Sequence, residues 1–223
     1  MAETIQLHDF IELDYTGKLT DGMIFDTTLA EVAKKNGFYS EKAKYGSVII
    51  CVGEQQILPG LDNKLLSQEV GKELHFELTP EEAFGKRDIK KVKIVPMSTF
   101  IEHKMNPQPG LQIEVDGEMG TINRVASGRV IVNFNHPLAG KEVAYEVKVK
   151  RRLTDNKEKI VAFLNNVLRI PKDKIQVQVE GENAKIELPW NMPEQLIEVF
   201  NKKLEELLKL KVEIKAKLPD NKN

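Results

Sequence analysis

The residues whose types could do chemistry lie mainly in the first third of this 223-residue chain. Tyr15 and Phe25 stand on two short alternating segments joined by Thr20-Asp21-Gly22, a hairpin signal, and Asp26 follows at the end of the second. Two aromatic rings beside one carboxylate make an apolar wall with an anion at its edge. A buried tyrosine near an aspartate is also a common satisfied core pair, so residue type alone leaves both readings open. The second stretch is VIICVGEQQILPGLDNKLL, Val48 to Leu66. Its β-branched run reads as a buried strand broken by Gly53. The turn from Gln55 to Leu58 presents Ile57 and Leu58 together, and Leu61, Leu65 and Leu66 carry the apolar stripe of a following helix. Such a strand, turn and helix form the floor and wall of an apolar pocket, or simply a packing motif.

Composition narrows the classes. With 41% hydrophobic and 30% charged residues the chain reads as ordinary globular protein, and its length predicts two or three modules. A net charge of −1 with interspersed lysines gives no basic patch, so neither nucleic acid nor an anionic membrane is expected as partner. The single cysteine, Cys51, excludes an intrachain disulfide and sits in the apolar strand, where it reads as a small core side chain. His136 has no second histidine or carboxylate at ligand spacing, so no metal and no cofactor are expected. MAETIQLHDFIEL lacks a basic region followed by an apolar run, and no stretch reaches membrane-spanning length; a cytoplasmic protein is the expectation.

Further on, Leu74, Phe76 and Leu78 alternate with polar neighbours, which makes His75 an exposed strand residue. Lys86 to Phe134 holds four strand-like pieces, Val92 to Val95, Leu111 to Val115, Gly120 to Val125 and Val130 to Phe134, with turns at Asp116-Gly117 and Ser127-Gly128. Its Met97, Phe100, Ile101 and Met105 suit the core of a small module, and equally an adaptable peptide-binding surface. From Arg151 the pattern predicts an α-β-β-α-β module. It has a helix striped by Ile160, Phe163, Leu164, Val167 and Leu168, strands around Ile175 to Val179 and Ile186 to Leu188, a helix opened by Pro193, and a last strand through Val212 and Ile214. The leucine-rich second helix either packs on its own sheet or buries apolar surface against a second copy of the chain, a homodimer.

Four ordered segments resemble one family. GEQQILPGLDNKL is similar to the strand-to-helix segment of FKBP-type peptidyl-prolyl isomerases; LDYTGKLTDGMIFDTT precedes it, and ELTPEEAFGKRD and AGKEVAYEVKVKR follow, together spanning Leu13 to Arg151. About fifty residues between AFG and LAGKEVAYEV resemble the insert of SlyD-type and long archaeal members. The resemblance implies an α+β fold: an FKBP-like antiparallel sheet wrapped on a short helix, an inserted β-rich domain and the C-terminal α-β-β-α-β domain. The implied boundaries are 1–85 plus 135–152, 86–134 and 153–223.

The resemblance also implies an activity. Tyr15, Phe25, Asp26, Ile57, Leu58, Phe84 and Tyr145 would line a site for prolyl-bond isomerisation. Val48, Leu61, His136, Leu138 and Ala139 would complete its walls, and Met97, Phe100, Ile101 and Met105 would hold unfolded segments on the insert. Phe84 stands where many relatives carry tyrosine, and Leu61 where many carry tryptophan. Such a site needs no nucleophile: the amide barrier of roughly 18–20 kcal/mol falls when a dry pocket binds the twisted bond better than the planar one. The expected function is a prolyl isomerase and folding chaperone acting on prolyl peptides and unfolded polypeptides. The competing class is a non-catalytic holdase using the same scaffold, against which the retention of Tyr15, Phe25 and Asp26 together argues.

Overall fold

The computed structural model describes residues 3–216. Strand β1, Phe10–Leu19, is the element on which the first sheet is built. The Asp21 carboxylate accepts from the Met23 amide and Gly22 takes φ +87°, so the chain reverses into β2, Ile24–Thr27. Along the same edge, the N-terminal half of β1 pairs antiparallel with β3, Val48–Cys51. A six-residue helix, α1 (Ala30–Lys35), lies between β2 and β3 in sequence. Helix α2, Pro59–Leu65, begins with proline at its first turn, where the missing N–H has no partner to lose, and buries Leu61 and Leu65. Strand β4, Glu73–Leu78, leaves His75 exposed as its alternation predicts.

A second body covers Thr79–Glu142. It comprises β5 (Val92–Pro96), α3 (Met97–Glu102), β6 (Gln112–Val115), β7 (Glu118–Ala126) and β8 (Arg129–Asn133), in sheet order β5-β8-β7-β6. Both predicted turns are two-residue hairpins with positive φ at each central position, 52° and 79° at Asp116-Gly117, 50° and 75° at Ser127-Gly128. That mirror-image turn matches the twist of the strands it joins. The core is Phe100, Ile113, Ile122, Val130, Val132 and Phe134. Phe100, expected on a binding surface, is therefore a core residue at 2% exposure, because α3 turns it onto the sheet.

The chain then returns as β9, Val143–Arg152, which pairs with Ile11 to Leu19 of β1 on one side and with β4 on the other. The sheet runs β2-β1-β9-β4, with β3 also on β1. Asp14, which simple alternation puts outside, is buried: Thr28 Oγ1 donates to its carboxylate and Lys150 Nζ lies 2.8 Å away.

After β9 come α4 (Asn156–Leu168), β10 (Gln176–Glu180), β11 (Asn183–Leu188), α5 (Glu194–Leu208) and β12 (Lys211–Ala216). Strands β10 and β11 are antiparallel, whereas β11 and β12 are parallel, the connection passing through α5. The Asp155 carboxylate caps α4 by accepting from the amides of Lys157 and Glu158. Phe200 and Leu204 of α5 are buried in this module's core, with Ile197, Leu207 and Leu208 partly buried against it, so most of the apolar stripe packs at home. Leu196 and Val199 stay exposed, as does Trp190. The predicted stripe of α4 is right for Ile160, Phe163 and Leu164, but Val167 is exposed.

The C-terminal segment does not stand apart. Its core includes Phe10, Ile49 and Cys51 of the first sheet, and it forms one compact unit with residues up to Leu78. The insert as a compact unit runs from Thr79 to Glu142, so it contains Phe84, His136, Leu138 and Ala139, which the sequence boundaries assign to the first module. Among the described residues no helix is long and apolar enough to cross a membrane.

Candidate functional site

The first part of the site is an aromatic cluster at the hairpin end of β1. Tyr15 and Gly17 lie on one face of that strand, and Gly17 is directly opposite Tyr145 of β9. The pairing with β2 slips between Gly17 and Lys18, and this bulge inserts Phe25 between the paired residues Ile24 and Asp26. Three rings are thereby gathered: Tyr15 and Tyr145 have centroids 5.8 Å apart at 57°, and Phe25 meets Tyr145 edge-on at 5.9 Å and 81°. These are the tilted and T-shaped arrangements that ring quadrupoles favour. Gly17 makes the approach feasible, since a β-carbon there would lie 2.9 Å from Phe25 Cζ and from Tyr145 Cε1 and Cζ.

One polar pair edges the cluster. Tyr15 Oη donates to Asp26 Oδ2 at 3.0 Å, and Asp26 itself is exposed. Burial, and then the negative charge of Asp26, push the Tyr15 and Tyr145 hydroxyls well above the usual tyrosine range. Both therefore stay protonated at neutral pH. The cluster offers apolar faces, neutral O–H groups and one exposed carboxylate, an arrangement suited to binding and orienting an amide.

The second part is the β3–α2 segment. Val48 and Ile57 are half-buried, Leu58 likewise, and Leu61 is fully covered within the fold. Asp62, 2% exposed, folds back on the loop: its carboxylate accepts from the Gly53 amide at 3.0 and 3.1 Å and from the Gln55 amide at 2.9 Å. Gly53 at φ +90° and Gln55 at φ +51° turn those amides inward. Cys51 behaves as core: burial, then the charge of Glu54, push its thiol up to about 12, so it remains neutral.

Phe84 and His136 belong to the other body, where their rings stack at 4.6 Å and 1°. His136 Nδ1 accepts from the Leu138 amide, and Gly140 N–H donates to the Gly85 carbonyl, closing the Phe84 and Leu138–Ala139 segments on each other. On the insert, Ile101 and Met105 are exposed and Met97 is partly buried against the core. Sequence reading missed Gly17 and Asp62. A lone glycine inside an alternating strand was the available signal for the first; nothing in sequence marks a helix aspartate as a brace for the loop before it.

A sheet wrapped on a short helix, with an aromatic cluster and one carboxylate at a bulged hairpin, defines the FKBP class. The family model for FKBP-type peptidyl-prolyl cis-trans isomerase matches residues 2–101, and that described as FKBP26, IF domain matches residues 93–138. The chain is 32% identical over 150 residues to the short-type peptidyl-prolyl cis-trans isomerase of Methanocaldococcus jannaschii, covering 67% of this chain and 95% of that one. It is 30% identical over 154 residues to the FKBP-type 16 kDa peptidyl-prolyl cis-trans isomerase of Escherichia coli, covering 67% and 94%. Over 116 residues it is 29% identical to the FKBP-type peptidyl-prolyl cis-trans isomerase SlyD of Helicobacter pylori, covering 50% and 62%. The chain belongs to the FKBP-type peptidyl-prolyl cis-trans isomerase family.

Proposed function

We propose that this protein isomerises prolyl bonds in unfolded and partly folded polypeptides, with catalysis at the Tyr15–Phe25–Tyr145 cluster and capture on the insert. The observation that carries the catalytic reading is the cluster itself: the Tyr15 and Phe25 rings each lie within 6 Å of the Tyr145 ring, Phe25 and Tyr145 close over Gly17, and the Tyr15–Asp26 hydrogen bond edges the group. A prolyl ring and its amide would rest on Phe25, Tyr145 and the half-buried aliphatics Val48, Ile57 and Leu58, above Leu61. Removing the amide from water weakens the resonance-favoured planar form relative to the twisted one, whose dipole is smaller. Asp26 would orient the substrate carbonyl region, and the Ile57 backbone would form a hydrogen-bonding edge.

Capture rests on the second observation. Ile94, Ile101, Met105, Leu111 and Met119 are exposed on a module of only 64 residues, Thr79–Glu142, whose core is filled by others. Holding an unfolded chain there raises the local concentration of its prolyl bonds at the catalytic cluster. Replacing Arg87 to Asn133 with a short glycine-containing loop should lower short-peptide turnover modestly. It should lower catalysis of proline-limited refolding, and suppression of aggregation, much further. Equal losses would remove the capture role, and absent peptide turnover in the intact protein would leave only a holdase. The exposed Trp190, Leu196 and Val199 support self-association through the C-terminal module. Light scattering should then report a dimer that Val199→Lys dissociates, and a monomeric parent would remove that part.

A further inference from the structure

The catalytic loop is tied from both sides. From within, the Asp62 carboxylate holds the Gly53 and Gln55 amides, as described. From outside, helix α4 reaches it through Asn166, whose Nδ2 donates to the Ile49 carbonyl at 2.7 Å and to Gln56 Oε1 at 3.1 Å. The same Gln56 Oε1 accepts from the Cys51 amide at 3.0 Å. Both donors demand an acceptor, which fixes the Gln56 amide with its oxygen toward them; its Nε2 is buried without a hydrogen-bond partner among the described residues. A second tie comes from α5, where Lys203 Nζ lies 2.7 Å from the largely buried Glu54 carboxylate. Phe10, Ile49 and Cys51 share the C-terminal module's core, so β3, the strand that feeds the loop, is packed directly on the elements that carry these ties.

Gln56 immediately precedes Ile57 and Glu54 lies three residues before it; the Ile57 backbone is the substrate-binding edge in the function proposed above, and the inference rests on that reading. We infer that Asn166 is a positioning residue of the isomerase site: by fixing Gln56 against Cys51 and Ile49, the C-terminal module sets where the Ile57 backbone and the Ile57 and Leu58 side chains stand. The module's role in a prolyl isomerase is then to hold the catalytic loop. Its last helices are part of the apparatus that makes the site rigid enough to favour a twisted amide, and a small displacement of such a group is expensive for rate.

Three substitutions in the full chain test this. Asn166→Ala removes both donated bonds. Asn166→Asp is isosteric but brings a carboxylate against the Ile49 carbonyl and Gln56 Oε1; burial beside two acceptors raises its pKa, and once protonated it donates again. Asn165→Ala is the control, because Asn165 Nδ2 donates to the Ile170 carbonyl within the C-terminal module. With folding verified by circular dichroism, Asn166→Ala should lower kcat/KM on a short prolyl peptide roughly five- to tenfold. The Asn166→Asp deficit, taken as a ratio to the parent at each pH, should shrink as pH falls, and Asn165→Ala should match the parent. A folded Asn166→Ala with parental turnover overturns the inference, as does an equal fall in Asn165→Ala. Should Asn166→Ala fail to fold, Asn166→Asp decides, and a pH-independent deficit overturns. Asp26→Asn separates the two readings: if it leaves turnover unchanged, the cluster has been misassigned; if it lowers turnover while the Asn166 variants do not, this inference alone fails.

Discussion

Substituting Gly17 by alanine perturbs the proposed catalytic cluster without removing any polar group. Gly17 is buried and its φ is not positive, so the backbone accepts alanine. The new methyl would stand 2.9 Å from one Phe25 carbon and two Tyr145 carbons. Carbon–carbon contacts settle near 3.5–4.0 Å, so both rings must retreat by roughly half an ångström or more. Overpacking of that kind costs about 1–3 kcal/mol, offset by about 0.5–1 kcal/mol from removing glycine's freedom in the unfolded chain. The net expectation is a loss of about 1–2 kcal/mol, read as a lower urea midpoint. If the rings that move are the catalytic walls, as proposed, kcat/KM on a short prolyl peptide should fall roughly tenfold. Gly22→Ala supplies the comparison: it has φ +87° and nothing within 4 Å of the added methyl, so it should lose about 1 kcal/mol through backbone strain with turnover intact. If Gly17→Ala kept both parental turnover and the parental midpoint, or if Gly22→Ala lost turnover equally, the ring cluster would not be the catalytic wall.

Two other perturbations follow from particular contacts. Burial raises the Asp14 carboxyl, but hydrogen bonds from Lys150, Ser47 and Thr28, with the Lys150 charge, outweigh it and hold the group below its ordinary 3.8. A depressed carboxyl contributes stability that is complete above the unfolded-chain value and fades as pH falls through the folded one. Urea midpoints of the parent should therefore drop more steeply below about pH 5 than those of Asp14→Asn, and parallel profiles would refute the assignment. On the insert, Phe100→Ala opens a cavity in a six-residue core and should cost about 3–5 kcal/mol, visible as lost amide dispersion in residues 79–142. Ile101→Ser should leave those spectra unchanged while weakening aggregation suppression; intact suppression would place capture elsewhere.

What the sequence carried was local. Alternation located β1, β4 and β9, paired turn residues located both insert hairpins, and the strand-turn-helix run around Val48–Leu66 located the loop. What it could not carry was tertiary. Asp14 alternates outward yet is buried, because Thr28 and Lys150 come from distant segments to cover it. Phe100 and Ile101 are adjacent and chemically alike, and only the orientation of a six-residue helix sends one to 2% exposure and the other to 67%. The C-terminal pattern was readable as α-β-β-α-β, but not its attachment: Asn166 and Ile49 are 117 residues apart, and their hydrogen bond has no local signature. Asn166 lies one turn beyond Phe163, just outside the apolar stripe of that helix, where a polar residue is ordinary in sequence.

The aromatic cluster is proposed to catalyse prolyl isomerisation by binding the twisted amide, with no proton transfer. Exchange NMR on a short prolyl peptide tests it most directly, since uncatalysed interconversion takes tens to hundreds of seconds. Substoichiometric protein should bring cis–trans exchange into the sub-second range. The rate should stay flat from about pH 6 to 9, because Tyr15 and Tyr145 hold their protons throughout. Asp26→Asn should slow it at every pH. Exchange no faster than in buffer alone, or a bell-shaped pH profile in the parent, would contradict the account.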